Sequence, residues 1–393
     1  MSVWDDLVGQ ARAVETLQAA ARRARDIVEN PENTENARAM THSWLITGPP
    51  GSGRSSVARA FAAALQCTGE EVGCGTCPGC TSTLARSNGD VTDVETSSVI
   101  IPIEQIRDLV YQSQSAPSRG RWRVILIEDA DRMMERGANT LLKAIEEPPE
   151  RTVWLLCTPS PEDMITTIRS RCRHLALRIP PAGDVAQLLT DKYGVTPERA
   201  AAAARLAQSH IGRAKGLASD DTKIREYQEL MDLALGATSI GEAMLNAETL
   251  MARATEIETK RQEVAFETEE AELRRALGIG EGESIPGHMR YHFKNLKEEQ
   301  KRQATRMQRD ALDRVLLDLL AFFRDLLAGQ LGAEVGQISV GLDDVLRDRA
   351  RKLNVHATLE CIGHVERSRQ LLQTNTKPLL IMEALLAALV PGR

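Results

Sequence analysis

Aromatic residues are scarce in this chain: Phe, Trp and Tyr together make up 3% of its 393 residues. Base stacking therefore finds little support, because proteins hold single-stranded nucleic acid largely on aromatic side chains. An excess of positive charge is lacking as well, since 49 basic residues stand against 55 acidic ones and the formal net charge is -6. This balance disfavours a protein that coats nucleic acid by bulk charge, although it allows a local basic patch.

Long hydrophobic runs are also missing. The chain has no apolar stretch of roughly 18 or more residues, so we expect no transmembrane helix and no membrane partner. The first residues, Met-Ser-Val-Trp-Asp-Asp, have neither the basic start nor the apolar segment of a secretory signal. We therefore expect a soluble, cytoplasmic protein, and its length predicts two or three domains.

Four of the seven cysteines are clustered. Cys67, Cys74, Cys77 and Cys80 have the spacing C-x6-C-x2-C-x2-C. In a reducing cytosol, clustered cysteines favour a metal over disulfides, and Zn2+ takes four tetrahedral sulfurs in structural sites. An iron–sulfur cluster is the alternative, but its usual fourth cysteine follows the C-x2-C-x2-C run, whereas here it precedes it. The spacing predicts a structural zinc site that folds a loop and does not catalyse.

Apolar runs alternate with helical patterns in the first 180 residues. Strands are predicted at 43–47, 123–127, 152–157 and near 174–178, and helices at 1–40, 56–66, 101–112 and 138–147. This alternation predicts an α/β fold, a parallel sheet with helices on both faces. Pro180-Pro181 marks a domain boundary, after which residues 181–219 form a small helical bundle and 220–393 are helical throughout.

A helical hairpin is predicted within the last region, at about 255–327. Two charged helices, 255–277 and 289–327, flank the Gly-rich segment 278–287. Lys294, Lys297 and Lys301 share one face and would suit nucleic acid. Because nearby glutamates dilute this charge, an ordinary solvated face is favoured instead.

A Gly-rich motif follows the first strand and opens a helix, the context of a P-loop. In Gly48-Pro-Pro-Gly51-Ser-Gly53-Arg54-Ser55, the glycines would let backbone N–H groups close around phosphates. Arg54 stands where lysine is expected, and this exchange is not conservative because Arg is planar and bulkier. Ser55 keeps the hydroxyl that would ligate Mg2+. The motif predicts a site for ATP or ADP with Mg2+, the alternative being a loop that keeps its shape without nucleotide.

Two carboxylates follow the second predicted strand, as in a Walker B site. They are Glu128 and Asp129, in the reverse of the common Asp-Glu order. One side chain is a methylene too long for its role and the other is one too short, and a displacement near 1 Å can cost about a hundredfold in rate. Together with Arg54, this reversal predicts a weak or absent ATPase.

Polar residues also follow the next strand. Thr158 is placed to sense a γ-phosphate, or alternatively to cap the turn before Pro159. Farther on, Arg171 ends a predicted helix beside the nucleotide edge of the sheet, from where it would point into the phosphate site of a neighbouring subunit. An arginine supplied in trans contributes about 10^3–10^5 in rate to phosphoryl transfer.

The motifs occur in an order that resembles a known family. Val8-Gly9-Gln10, the altered P-loop, the four cysteines and Ile103-Glu-Gln-Ile-Arg107 are followed by 139–149 and Ser170-Arg-Cys172. Over residues 1–220 this succession resembles the AAA+ clamp-loader subunits of bacterial DNA polymerase III. Among them it is most similar to delta prime, because gamma/tau subunits would be expected to keep Lys in the P-loop and Asp-Glu in Walker B. An active ATPase of the gamma/tau type is the alternative.

The resemblance implies an AAA+ core over 1–180 with a zinc-binding insertion at 67–80, a helical lid over 181–219, and a helical collar for oligomerisation over 220–393. It implies that Val8 lies near the adenine pocket, that Arg213 is a second sensor, and that Arg171 completes the ATP site of an adjacent gamma/tau subunit. The implied partners are gamma/tau and delta subunits in a hetero-pentamer, the sliding clamp and primer-template DNA, and the implied role is clamp loading in DNA replication. A stand-alone zinc-bearing DNA-binding protein is a third hypothesis, which the acidic net charge disfavours.

Overall fold

The computed structural model divides the chain into two compact units, Met1–Ala218 and Ser219–Arg393. The residues it describes are 2–30, 32, 40–94, 100–276, 279–280, 285–286, 290–374 and 376–391. All four tryptophans lie in the first unit, so their fluorescence reports on that unit alone.

A five-stranded parallel sheet forms the centre of the first unit. Its strands are β1 (Ser43–Thr47), β2 (Val91–Val94), β3 (Arg123–Ile127), β4 (Thr152–Thr158) and β5 (Arg173–Ala176). In space they have the order β2-β3-β4-β1-β5, and each neighbouring pair is parallel. The carboxyl ends of all five strands therefore lie along one edge, where parallel sheets place their binding loops.

Helices cover both faces of this sheet. They are α1 (Ala11–Glu29), α2 (Arg54–Leu65), α3 (Pro78–Leu84), α4 (Ile103–Ser113), α5 (Glu135–Glu146) and α6 (Thr166–Arg169). One core joins α1 and α2 to the sheet through Leu17, Phe61 and Trp44. The opposite core joins α4 and α5 to it through residues such as Leu141 and Trp154. The predicted α/β fold with both faces covered is confirmed.

One local prediction in this unit is wrong, and one strand was not predicted. Residues 2–10 form turns rather than helix, and α1 begins only at Ala11. Strand β2 was not predicted, because Val91-Thr-Asp-Val94 is short and lies at the sheet edge, where only Val94 is buried. An apolar run is expected only of a strand that is covered on both faces.

Three further helices complete the first unit: α7 (Ala182–Tyr193), α8 (Pro197–Leu206) and α9 (Ile211–Ser219). Residues 182–218 belong to the same compact unit as the sheet. The division of this unit into a core ending at residue 180 and a lid over 181–219 stays a prediction.

The second unit is built from helices, with a turn-rich stretch over residues 331–342. The helices are α10 (Asp221–Leu235), α11 (Ile240–Ala276), α12 (Arg290–Gln330), α13 (Asp343–Lys352), α14 (Val355–Leu372) and α15 (Pro378–Ala388). Gln308 Nε2 lies 3.1 Å from Thr255 Oγ1, and Gln300 Nε2 lies 3.4 Å from the Phe266 carbonyl, so α11 and α12 are antiparallel. Most of the predicted Gly-rich connection between them lies outside the described residues. Within those residues, no helix is long and apolar enough to cross a membrane.

A buried arginine joins three helices of this unit. Arg349 on α13 is 3% exposed, and its guanidinium donates to the carbonyls of Leu389 and Leu235, which lie at the ends of α15 and α10. Burial lowers the pKa of Arg349. A cation at helix C-termini is favourable because the last carbonyls there have no partner within the helix and carry partial negative charge.

A buried carboxylate fastens the loop that precedes β3. Asp90, 1% exposed, accepts hydrogen bonds from the backbone N–H groups of Ser118, Arg119 and Gly120 at 2.7, 2.8 and 2.5 Å. Burial alone would raise the pKa of Asp90, but these donors outweigh it and lower the pKa to about 2. The bound loop is therefore stabilised by the ionised form.

Replacing Asp90 with asparagine is expected to lower the free energy of unfolding of the first unit by about 2 kcal/mol near neutral pH. Because the folded-state pKa is depressed, this contribution is present above the unfolded pKa near 4 and is lost as the pH falls towards 2. Urea unfolding followed by tryptophan fluorescence at several pH values measures the difference. The exposed Asp108→Asn is the matched control, and an Asp90→Asn deficit that does not shrink in acid would contradict the assignment.

Candidate nucleotide and metal sites

The glycine-rich loop follows β1 at the carboxyl edge of the sheet and has the backbone shape of a P-loop. Gly51 and Gly53 have φ of +89° and +83°, the left-handed region that favours glycine, and Gly53 directly precedes α2. The loop begins beside the end of β4, since the Gly48 N–H donates to the Thr158 carbonyl at 3.4 Å. The backbone is therefore arranged as phosphate binding requires.

Arg54 is turned onto the loop itself. Its Nη1 donates to the carbonyl of Gly48, at the start of the same loop. A lysine in a P-loop reaches the β- and γ-phosphates instead. Arg54, which stands where a P-loop has lysine, thus binds the start of its own loop.

The hydroxyl and carboxylate that would ligate Mg2+ are bonded to each other. Ser55 Oγ donates to Glu128 Oε2 at 2.7 Å, and the other carboxylate oxygen of Glu128 accepts from Arg59 Nη2. Arg59 Nε also donates to Asp93 Oδ2 at 2.8 Å. The carboxylate that would ligate Mg2+ is thus paired with an arginine cation from the same unit.

The other predicted catalytic residues also have protein partners. Asp129 Oδ2 lies 3.5 Å from Arg132 Nε. The hydroxyl of Thr158, fully buried, donates to the Ser160 carbonyl at 3.1 Å, which corresponds to the turn-capping alternative. Both residues lie at the carboxyl edge of the sheet, where the sequence places them, and the γ-phosphate role of Thr158 stays a prediction.

The Val8-Gly9-Gln10 turn contacts the P-loop through Gln10. The Gln10 side chain is buried and donates to the carbonyls of Ser52, at 3.2 Å, and Arg178, at 2.6 Å. Val8 lies half-buried in the same turn. The turn therefore fastens the loop to the segment that leaves β5.

The start of α9 contacts the apex of the loop. A Cβ added at Gly51 would meet the backbone and side chain of His210 at 3.1–3.4 Å, so this histidine lies directly on the loop. His210 Nδ1 lies 3.3 Å from the backbone N–H of Arg213, the predicted second sensor. The structure therefore brings the segment 210–213 and the P-loop together.

Arg171 lies just after α6 and is 39% exposed. Its Nε donates to the Glu146 carboxylate at the end of α5, and its Nη1 donates to the Thr167 carbonyl at 3.0 Å. The guanidinium is thus held at the surface by two neighbouring helices. A surface ion pair of this kind is weak and can be exchanged for another anion.

The four clustered cysteines converge on one point. The sulfur atoms of Cys67, Cys74, Cys77 and Cys80 all lie within 4.8 Å of one another, and Cys67 Sγ is 3.7 and 3.8 Å from those of Cys74 and Cys77. Four sulfurs placed about 2.3 Å from one zinc ion form a tetrahedron with edges of about 3.8 Å. The cluster can therefore bind a structural zinc ion, whereas a cluster of several irons would hold its sulfurs farther apart.

Backbone N–H groups prepare two of these sulfurs as thiolates. Burial raises the pKa of Cys77, but the N–H groups of Cys80 and Thr68 donate to its sulfur and lower the pKa to about 5. The N–H of Thr76, together with that of Cys77, lowers the pKa of Cys74, whereas burial raises that of Cys80. Thiolates are the metal-binding form of cysteine, so this arrangement favours a cation.

The N-terminal turns pack on the cysteine segment. The Val3 N–H donates to the Gly73 carbonyl at 2.9 Å, and Trp4 Nε1 lies 3.4 Å from the Val72 carbonyl. From α1, Arg25 donates to the carbonyls of Glu70 and Cys67 at 2.7 and 3.3 Å. Residues 2–4 and α1 are thus both bonded to the cysteine segment.

Three residues at the nucleotide edge were not predicted from the sequence: Arg59, Arg86 and Asp93. Arg59 follows Ser55 by one helical turn, so helix periodicity alone places both on one face. Asp93 lies on the unpredicted β2, where it pairs in register with Leu126 of β3. No local pattern in the sequence marks Arg86.

Residues 24–181 match the family model described as DNA polymerase III, delta subunit. The DNA polymerase III subunit gamma/tau of Mycobacterium bovis is 33% identical over 157 residues, which is 39% of this chain and 27% of that protein. The DNA polymerase III subunit delta' of Pseudomonas aeruginosa is 38% identical over 146 residues, 36% of this chain and 44% of that protein. This chain thus spans less than half the length of these curated relatives.

A solved structure of similar extent is a DNA polymerase III gamma-subunit-related protein of Thermotoga maritima. It is 16% identical, with a TM-score of 0.46, over 95% of this chain and 98% of its own.

Proposed function

We propose that this chain, whose residues 24–181 match the family model described as DNA polymerase III, delta subunit, is a delta prime-type subunit of the clamp loader that does not hydrolyse ATP. In this proposal it acts in the cytoplasm with gamma/tau and delta subunits in a hetero-pentamer. It helps to load the sliding clamp onto primed DNA and supplies Arg171 to a neighbouring ATP site.

The closed nucleotide edge carries this proposal. Arg54 is bonded to Gly48 of its own loop, and the two groups that would hold Mg2+, Ser55 and Glu128, are bonded to each other. Phosphoryl transfer at a P-loop depends on that metal and on a cation at the phosphates. A subunit can lose the metal and the cation at the phosphates and still present an arginine on its surface.

The second candidate is an active ATPase of the gamma/tau type. It is favoured by the relatives, since gamma/tau or tau subunits from several bacteria are 31–37% identical to this chain over 149–173 residues. The two candidates differ in one measurable property, ATP turnover by the isolated chain.

The purified full chain is expected to show no Mg2+-dependent ATP hydrolysis above background. Arg54→Lys is expected not to restore turnover, because Glu128 remains paired with Arg59. Phosphate release with an authentic gamma/tau subunit as positive control measures both. Turnover by the wild type that disappears in Glu128→Gln would reject the delta prime assignment in favour of the gamma/tau type.

A further inference from the structure

P-loop enzymes bind a magnesium ion with two groups whose counterparts in this chain, Ser55 and Glu128, contact each other. In those enzymes the P-loop Ser/Thr hydroxyl and a Walker B carboxylate hold the metal. Here Ser55 Oγ donates directly to Glu128 Oε2 at 2.7 Å, so the hydroxyl and the carboxylate are bonded to each other. Something else must balance the negative charge of the carboxylate.

Arg59 supplies one balancing charge. Its guanidinium donates to Glu128, just after β3, and, at 2.8 Å, to Asp93 on β2, so it bridges the two carboxylates. The two acidic side chains are only 13% and 8% exposed. Two carboxylates buried side by side repel each other strongly unless a cation lies between them.

Arg86 supplies a second charge, from the cysteine segment. Its Nε lies 3.4 Å from Asp93 Oδ2, and its Nη2 lies 3.5 Å from Glu128 Oε1. It follows α3, the helix whose N-cap residue is Cys77 and which contains Cys80, and its φ is +57°. The helix held by two of the clustered cysteines thus ends in a cation for the nucleotide edge.

We propose that Arg59 and Arg86 together occupy the electrostatic position of Mg2+, so that the P-loop of this chain is stable without a divalent cation. Two guanidinium groups carry the same charge as one magnesium ion. The inference deepens the proposed function and rests on it in one respect, the absence of hydrolysis at this loop. Its test measures the response of stability to metal rather than ATP turnover, so the two can fail separately.

The test compares melting temperatures of the zinc-loaded full chain with and without about 10 mM MgCl2, followed by tryptophan fluorescence. The wild type is expected not to respond. Arg59→Met is expected to melt lower without metal and to recover by about 3 °C or more in Mg2+. Asp93 Oδ1 is buried without a hydrogen-bond partner among the described residues, so the variant has an oxygen ready for the ion.

Two matched variants distinguish the effect of the positive charge at position 59 from the effect of the side-chain shape. Arg59→Lys keeps a cation and is expected to show no Mg2+ response, whereas Arg59→Met/Glu128→Gln loses the response because a metal ligand is gone. An Arg59→Met protein that does not respond would overturn the proposal, as would a wild-type response that Glu128→Gln abolishes. If Arg59→Met does not fold, Arg86→Met, whose parent side chain is 44% exposed, is judged by the same criteria.

Discussion

Replacing Arg171 with alanine is expected to remove most of the DNA-dependent ATPase activity that its neighbour contributes to an assembled clamp loader, while assembly survives. An arginine finger in trans contributes about 10^3–10^5 to phosphoryl transfer, because it stabilises charge that develops on the transferred group. The complex reconstituted with gamma/tau and delta subunits, clamp and primed DNA is the material for this measurement. Size-exclusion chromatography of the same sample checks assembly.

The surroundings of Arg171 provide the controls. In the free chain its guanidinium is held by Glu146 and by the Thr167 carbonyl, and its 39% exposure leaves it accessible to a partner. Glu146→Gln is therefore expected to leave turnover largely intact, since it removes only the ion pair that must be exchanged. Arg22→Ala, an exposed arginine on α1, is a charge-matched control. Unchanged turnover in Arg171→Ala would reject the finger assignment.

Loss of one clustered cysteine is expected to abolish zinc binding and to destabilise the first unit by several kcal/mol. Structural zinc contributes about 10–16 kcal/mol of binding free energy in small zinc-finger peptides, part of which holds their fold. Cys80→Ala removes a ligand that is fully buried and continuous with the α1–α2 core. The N-terminal turns should loosen as well, because Val3 and Trp4 bind the same segment.

Metal analysis and tryptophan-monitored unfolding test this expectation. The wild type should contain one zinc per chain, and Cys80→Ala none. Cys172→Ala is the matched control, since Cys172 lies in the same unit away from the cluster and should keep its zinc. Iron with visible absorbance in the wild type would instead establish the iron–sulfur alternative, and a chelator that strips zinc without lowering stability would contradict the structural role.

Four of the five strands were predicted from the sequence, and two of these four are buried along their whole length. Every residue of β1 and β4 is buried, and such strands must be continuous apolar runs. The P-loop was predicted for a related reason, since its glycines serve backbone shapes that few other residues adopt. The metal site could be predicted because thiolate coordination of a single ion accounts for the spacing of the four cysteines.

The charge network at the nucleotide edge was beyond local reasoning. Asp93 meets Glu128 only because β2 pairs with β3 in a particular register, and Arg59 meets both from a helix 34 residues before Asp93. The prediction of helix for residues 2–10 was wrong for a similar reason. Their Ala- and Glu-rich neighbourhood predicts helix, but long-range bonds to the cysteine segment outweigh that propensity, as tertiary contacts commonly do.

The contacts of Arg349 also determine when the second unit can be completed during synthesis. Its two carbonyl partners belong to Leu235 and Leu389, 114 residues earlier and 40 residues later in the chain. The second unit therefore cannot complete its packing around Arg349 until α15 has left the ribosome. The ribosome adds about 5–20 residues per second. The first unit ends at Ala218 and contains all of its own strands, so it can fold while the remainder is still being translated.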